Sequence, residues 1–502
     1  MSDYTLDGQE FDTVVLGTGL VESIVACEIA NSAAADSDEG RKVLHIDRNP
    51  YYGGSFACFS LSAFIEWATT FRDCRQTPFV EIVVAGGGGG VSGSEPISFI
   101  INQTTTREEC DTKKSIAAAL QPFCSGSDAS SFDMKTCEAA LSLLLENDRK
   151  YAIELAPKLA LCRGDMIDLL IDLRIGEYVQ FKGVEHSYIV HNGKIEKVPE
   201  SKEDVFASKT LSLIEKRKLM RLMTVIADDD ECQKLMDEAA QSSEQDFGQF
   251  MQSKFKFDGK LLDAVVYSVA RADAVHRLGA AEGCERVRKY VRAMGRYGRM
   301  AYLCAMYGGG SELAQAFCRL CAVSGGTYIL GEHVEISQKD GDAGFTVKTS
   351  EHGTVKAKSI VMDPVYDPEA VFEKDNAVSR AFCILDRAIL GDDTTAILCH
   401  VDGQSATSLL YLTQATLAVP SGQSILYAWS PGPLTSDKRV QLQRALYDVS
   451  ADATSLFTAY FEVCDAKCAS KGYFGTGAPD SLVDFDSTVQ RAQHIVKCIH
   501  QG

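Results

Sequence analysis

The first sustained apolar run, Phe11 to Leu16, reads FDTVVL and passes through Gly17-Thr18-Gly19 into LVESIVACEIA. A β-branched run, a glycine turn and a run with helical spacing predict a buried strand, a tight turn and a helix over Leu20–Ala30. Lys42 to Ile46 is a second strand-like run ending in Asp47, which closes a β-α-β unit, and NPYYGG is a turn-rich loop beyond it. Between about Ala85 and Phe132 the pattern lapses: the five glycines Gly86 to Gly90 lead into Ser- and Thr-rich sequence without a period, read as a flexible surface insertion. Helical spacing returns from about Lys135. Tyr188–Val190 and Lys194–Val198 then flank Asn192-Gly193, the pair favoured in a type I′ hairpin turn. After Pro199 the spacing is helical almost throughout, over Ser208–Ala227, Asp246–Phe255, Lys260–Arg271 and Ala280–Met294. Strand patterns resume at Thr327–Leu330, Phe345–Thr349, Ser359–Met362, Ala381–Leu385, Ala396–His400 and Ser424–Trp429, and Thr488–Ile499 reads as a last helix. The expected architecture is an α/β (α+β) fold: a multi-sheet domain from residues 1–199 and 296–502, carrying 85–132 as an insertion, with an all-helical domain, 200–295, inserted into it.

In a dinucleotide fingerprint the first two glycines make the turn and admit a pyrophosphate, and the third lets helix and strand pack closely. Gly17 and Gly19 meet the first two needs, but Glu22 stands at the third position. Its carboxylate falls in the first helical turn, where free amides would otherwise receive a diphosphate. Asp47 falls where a ribose-binding acid would sit. The expectation is a dinucleotide-binding scaffold whose cofactor site has been given up or rebuilt, with flavin not retained.

Composition narrows the partners. The 502 residues, 45 % of them apolar, suffice for several domains with a large core. A formal charge of −19 disfavours nucleic acid and anionic membrane surfaces as the main partner; it suits a basic protein, or serves solubility alone. The start, MSDYTLDGQEFD, does not read as a signal peptide, and no stretch approaches the roughly 18 apolar residues of a membrane span. The chain is expected to be cytosolic, with its 17 cysteines reduced and mostly buried. Cys318 and Cys321 form a C-x-x-C within a helical pattern, without a second pair at zinc spacing, and the ending CIHQG is not a prenylation box. No G-x-S-x-G, H-E-x-x-H or P-loop occurs.

Two surfaces stand out. Glu312 and Arg319 are seven residues apart, two helical turns, so both lie on one face with Gln315 between them, while Leu313, Ala316, Phe317 and Leu320 form a buried stripe. That face is either a binding surface or a solvated charge pair. Phe206 and Arg217 are eleven residues apart, close to three turns, and share a face if the helix begins early enough; aromatic and arginine anchors are enriched in interfaces. Otherwise Phe206 staples the helix entry and Arg217 is one surface charge among several.

The strings VLGTGLVES, VLHIDRNPYYGG with FACFS, KVPESKEDVFASKTLSLIEKRKLM and GRYGRMAYLCAMYGGGSELAQAFCRLCAVSGGTYIL resemble the Rab escort protein and Rab GDP-dissociation inhibitor superfamily. The resemblance covers most of the chain outside about 85–132. It implies a flavoprotein-like (FAD/NAD(P)-binding type) sheet domain that does not use flavin, a Rab-binding platform on Tyr52, Glu312, Arg319 and Ile329, and a helical domain that shelters a geranylgeranyl group. Leu219, Leu222, Leu261, Val265 and Val269 are candidate linings for the lipid, each also an ordinary core residue. The escort branch adds docking to the α subunit of Rab geranylgeranyltransferase through a phenylalanine in D-V-F-x-S-K-x-L and an arginine in E-K-R, here Phe206 and Arg217. The inhibitors keep the arginine but carry a small residue in place of the phenylalanine. By this resemblance the chain is not itself an enzyme. It binds GDP-bound Rab proteins, presents them to the transferase, chaperones the prenylated product and touches membranes transiently to deliver it. The alternatives are an inhibitor that recycles prenylated Rab proteins and, more distantly, a flavin-dependent oxidoreductase. Two departures from the family pattern are the lost prolines, at Ala314 in SELAQ and at Ala301 and Ala305 in YGRMAYLCAMY.

Overall fold

The computed structural model describes residues 5–36, 41–70, 79–84, 97–102, 141–142, 144–199, 202–209, 211–242, 246–273, 278–338, 344–403, 405–468 and 472–501. The first strand, Glu10–Leu16, runs parallel to Val43–Asp47 on one side and to Thr354–Met362 on the other. It is central to a seven-stranded sheet that begins at Thr327–Leu330 and ends at Val334–Gln338. Because this strand is covered on both faces, its apolar residues run continuously instead of alternating. Gly17 turns the chain with φ +100° into the helix Leu20–Asp36. That helix is buried on nearly every side over Leu20–Ala30, so its apolar residues form no stripe.

A nine-stranded sheet forms the second layer, in the order Lys194–Lys197, His186–His191, Ala396–Asp402, Ser405–Thr413, Ser424–Pro431, Val371–Leu385, Ser455–Lys467, Phe79–Val84, Ile97–Asn102. The hairpin at its edge turns through Asn192 and Gly193, φ +50° and +72°, with Lys194 opposite His191, as a type I′ turn requires. Strand Ile97–Asn102 corrects the patternless reading of 85–132: it pairs antiparallel with Phe79–Val84. A six-residue run set among Gly, Ser and Thr is too short to display a period. Residues 85–96 and 103–132, where the flexible insertion was expected, lie outside the described residues.

Between Lys202 and Ala293 every described regular element is helical. These helices bury a core of their own, built on Leu222, Ile226, Leu235, Phe247, Phe250 and Val287. The larger core, around Phe64, Phe382, Phe457 and Trp429, lies between the sheets and the helices that cover them. Two helix expectations need correction here. Ser208–Ala227 is not one helix: the chain forms Lys202–Ala207 and then Leu213–Ala227. A reciprocal capping box makes the second start, since the Glu215 amide donates to the Ser212 hydroxyl and the Ser212 amide to the Glu215 carboxylate, 3.3 and 2.7 Å. Lys260–Arg271 splits into a short α-helix, Gly259–Asp263, and a π turn, Ala264–Val269. Among the described residues no helix is long and apolar enough to cross a membrane.

Candidate functional site

The glycine turn is closed by the protein itself. Glu22 is buried at 3 % exposure, and a Cβ placed on Gly19 would collide with its carboxylate. The Thr476 hydroxyl donates a short hydrogen bond to it. Burial, with the nearby Asp363 charge, pushes the Glu22 carboxyl up to about 8. Asp47 accepts from the Thr18 amide (2.8 Å) and hydroxyl (2.6 Å), the Asn49 amide (2.8 Å) and the Tyr366 hydroxyl (3.0 Å), so its ribose-binding capacity is used internally. The NPYYGG loop presses on the same turn, with the Gly53 amide donating to the Thr18 carbonyl at 3.0 Å. A Cβ on Gly53 would stand 2.9 Å from the Ala57 Cα, and φ there is +106°, so the close approach requires glycine. What is left between Gly17, Asp47 and Tyr366 is about 30 Å³, the share of one water. The residues present do not fit a dinucleotide.

Through Tyr52 the same loop contributes to an open hollow of about 400 Å³ lined by Tyr52, Glu312, Arg319, Tyr178, Gln315 and Cys318 among others. Its floor is the helix Gly309–Val323. Leu313, Ala316 and Phe317 are buried and Leu320 half-buried, while Gln315 and Arg319 are exposed, which leaves Glu312 and Arg319 on one accessible face. The helix starts at a glycine run in which Gly308 and Gly309 have φ +145° and +53°. The buried carboxyl of Glu154, which burial pushes up to about 8, lies against the start of this helix, where a Cβ on Gly309 would strike it. The Arg319 guanidinium lies over the Tyr178 ring, 4.3 Å from its centroid. Partial burial holds the Glu312 carboxyl above its ordinary range. The hollow therefore offers a carboxyl, a guanidinium braced on an aromatic face, and tyrosine edges.

Ile329 does not join the other three expected platform residues. It is the neighbour of Tyr328 on Thr327–Leu330, and successive strand residues face opposite ways: Tyr328 lines the hollow, whereas Ile329 packs on the core beneath the seven-stranded sheet. Tyr178, Glu154 and Thr476 escaped sequence reasoning. Each is far along the chain from the group it serves, and none sits in a motif.

On the helical unit, Leu222, Leu261 and Val265 are buried together in its core, with Leu219 and Val269 half-buried against it. Phe206 and Arg217 are both exposed but on separate helices, because the chain breaks between them; they do not share one helical face as the spacing suggested. The Lys216 ammonium donates to the Phe206 carbonyl at 2.8 Å and ties the end of the first helix to the start of the second. Phe206, Leu213 and Ile214 are 67, 76 and 66 % exposed, three large apolar side chains set outward on consecutive helices.

The family model described as GDP dissociation inhibitor matches residues 7–78 and 132–407. The chain is 29 % identical to the Rab proteins geranylgeranyltransferase component A of Drosophila melanogaster, over 97 % of this chain and 88 % of that one. It is 27 % identical to the Rab GDP-dissociation inhibitor of Saccharomyces cerevisiae, over 78 % and 71 %. Among solved structures, Rab GDI from Plasmodium falciparum superposes with a TM-score of 0.69 at 18 % identity, covering 97 % of this chain and 98 % of that one. An oxidoreductase from Methanosarcina mazei gives 0.51 at 11 %, covering 97 % and 100 %, a likeness of fold alone. With the matched segments spanning both sheets and the helical unit, the chain belongs to the GDP dissociation inhibitor family.

Proposed function

We propose that this protein is a Rab escort protein: a non-catalytic component that binds GDP-bound Rab GTPases, presents them to Rab geranylgeranyltransferase, shelters the prenylated product in the cytosol and delivers it to membranes. The hollow at Tyr52, Glu312 and Arg319 supports the Rab-binding part. Lipid shelter would require the helical core that holds Leu222, Leu261 and Val265, with Leu219 and Val269 against it, to part. A C20 prenyl chain gains about 0.8 kcal/mol for each CH₂ group withdrawn from water, so partial shielding already contributes several kcal/mol. In this reading the lipid supplies affinity and the platform supplies choice of partner. The closed glycine turn supports a role without flavin.

The observation that carries the escort assignment over an inhibitor is the outward set of Phe206 beside Leu213 and Ile214. Large apolar side chains grouped on a surface mark docking sites, and with Arg217 they make an anchor of the hot-spot type for the transferase α subunit. The test is prenylation of unmodified GDP-bound Rab by transferase and geranylgeranyl diphosphate, with and without this protein. Escort function requires that prenylation depend on the added chain. Phe206→Ala is expected to weaken transferase binding about 30-fold or more while Rab binding is unchanged. Parent protein that gives no stimulation but still extracts prenylated Rab from membranes would make it a recycling inhibitor.

A further inference from the structure

The loop that carries Tyr52 into the hollow is built on the closed glycine turn. Gly19 has two close neighbours there. The Glu22 carboxyl fills the space where a Gly19 Cβ would stand, and a Cβ on Gly54 would lie 3.4 Å from the Gly19 Cα and from its amide nitrogen. Gly19 and Gly53 form a parallel β-bridge, and the Gly53 amide is shared between the Thr18 carbonyl and hydroxyl, at 3.0 and 3.2 Å. The same loop also rests on the start of the helix Gly309–Val323. A Cβ on Gly53 would stand 3.1 Å from the Ser311 hydroxyl, and one on Gly310 would stand 2.7 Å from the Phe56 ring. Ser311 directly precedes Glu312 in the chain, and Tyr52 directly precedes Gly53. Tyr52 therefore reaches the hollow from a segment lodged between the turn and the helix that bears Glu312 and Arg319.

Glu22 is fixed in its turn by Thr476. The Thr476 hydroxyl donates to the Glu22 carboxyl, while its amide donates at 3.0 Å to the carbonyl of Met362, the last residue of the strand Thr354–Met362. Glu22 and Thr476 are both buried, and neither lines the hollow, so neither can touch a partner there. Removing the carboxyl would leave a hole beside Gly19 and a buried hydroxyl without its acceptor. Gly17, Gly19, Gly53 and Gly54 have no side chains to take up the slack, and glycine backbone is the least restrained. We propose that Glu22 is a positioning residue for partner recognition, which sets the place of Tyr52 in the hollow through Gly19 and Gly53. This rests on the reading of the hollow as the Rab-binding surface.

Titration of the full chain against GDP-bound geranylgeranylated Rab tests it, with the lipid keeping weak variants measurable. Glu22→Ala is expected to weaken binding about tenfold or more, and Glu22→Gln, which keeps the shape and an oxygen for the Thr476 hydroxyl, to recover most of that loss. In a Tyr52→Ala background Glu22→Ala is expected to add less than about a twofold loss, because residues that act through one another are not additive. Thr476→Val deletes only the donor and stands in if Glu22→Ala does not fold; a loss of about threefold is expected, again confined to chains that keep Tyr52. Leu446→Ala, which opens a cavity in the separate core under the nine-stranded sheet, is expected to lower the melting temperature yet bind as the parent does. Parent protein that binds no Rab overturns the reading of the hollow, and the proposal with it. Where the parent binds, the proposal alone is overturned if the Glu22→Ala and Thr476→Val proteins bind as tightly, if their losses persist in full in the Tyr52→Ala background, or if Leu446→Ala weakens binding as much.

Discussion

At the scale of single residues, Glu22 has a titration signature. Its folded carboxyl holds a proton up to about 8, whereas the unfolded chain releases it near the ordinary value of 4.5. The folded state thus binds the extra proton between those limits, and stability falls as pH rises through that window. Glu154, also pushed to about 8 by burial, acts in the same direction. Denaturant unfolding at pH 6 and pH 8.5 is expected to show the loss, at up to about 1.4 kcal/mol per pH unit for each group. Glu22→Gln, which is neutral throughout, is expected to flatten the slope. Tyr178 is predicted to matter in another way, through the cation–π contact that braces Arg319. Tyr178→Ala is expected to weaken Rab binding about tenfold without changing the melting temperature by more than a degree or two, checked by titration against GDP-bound Rab. These two residues differ in how far the sequence discloses them. Glu22 is readable because it occupies one defined place in a glycine motif; Tyr178 meets Arg319 only through tertiary packing, which no local spacing encodes.

At the scale of elements, the break between Ala207 and Leu213 decides how the candidate transferase anchors are presented. Ser212→Ala removes half of the capping box and is expected to cost about 1 kcal/mol, seen as a lower melting temperature, and to weaken transferase docking because Leu213, Ile214 and Arg217 stand on the turns it starts. The signal was present as S-L-I-E, yet helical periodicity on both sides concealed the stop. Strands bounded by turn residues, such as the Asn192-Gly193 hairpin, were legible. Ser405–Thr413 and Ser455–Lys467 were not, because both are buried over most of their length, and a continuous apolar run in a sheet interior has no alternation to read. The lost prolines can be placed at this scale as well. Ala314 is buried inside a helix that begins at Gly309, where a proline would remove a backbone bond. Ala301 stands directly before the strand Tyr302–Ala305, which is paired on both sides.

At the scale of the whole molecule, the helical unit and the sheets keep largely separate cores. Cores that are not shared open separately. Hydrogen exchange on the full chain is expected to show amides of 213–270 exchanging faster than those of the central strands, and to show protection of that region, more than a few-fold, when a geranylgeranylated Rab peptide is bound. The helical stretch was legible because helical spacing begins after Pro199 and strand spacing returns later, and the described regular elements from Lys202 to Ala293 are helical. The order of strands within the sheets was not, since Ala396–Asp402 pairs with His186–His191 across some two hundred residues of chain.

The closed glycine turn is filled by more than one group. Three independent features fill it: the Glu22 carboxylate over Gly19, the Asp47 carboxylate committed to Thr18, Asn49 and Tyr366, and the Gly53-Gly54 loop lodged against the turn. Restoring glycine at residue 22 would undo one and leave two, and the residues that now satisfy each other would each lose a partner in the attempt. Opening this turn to a diphosphate would therefore take changes at all three places, beginning with the Glu22 carboxyl that fills the space over Gly19.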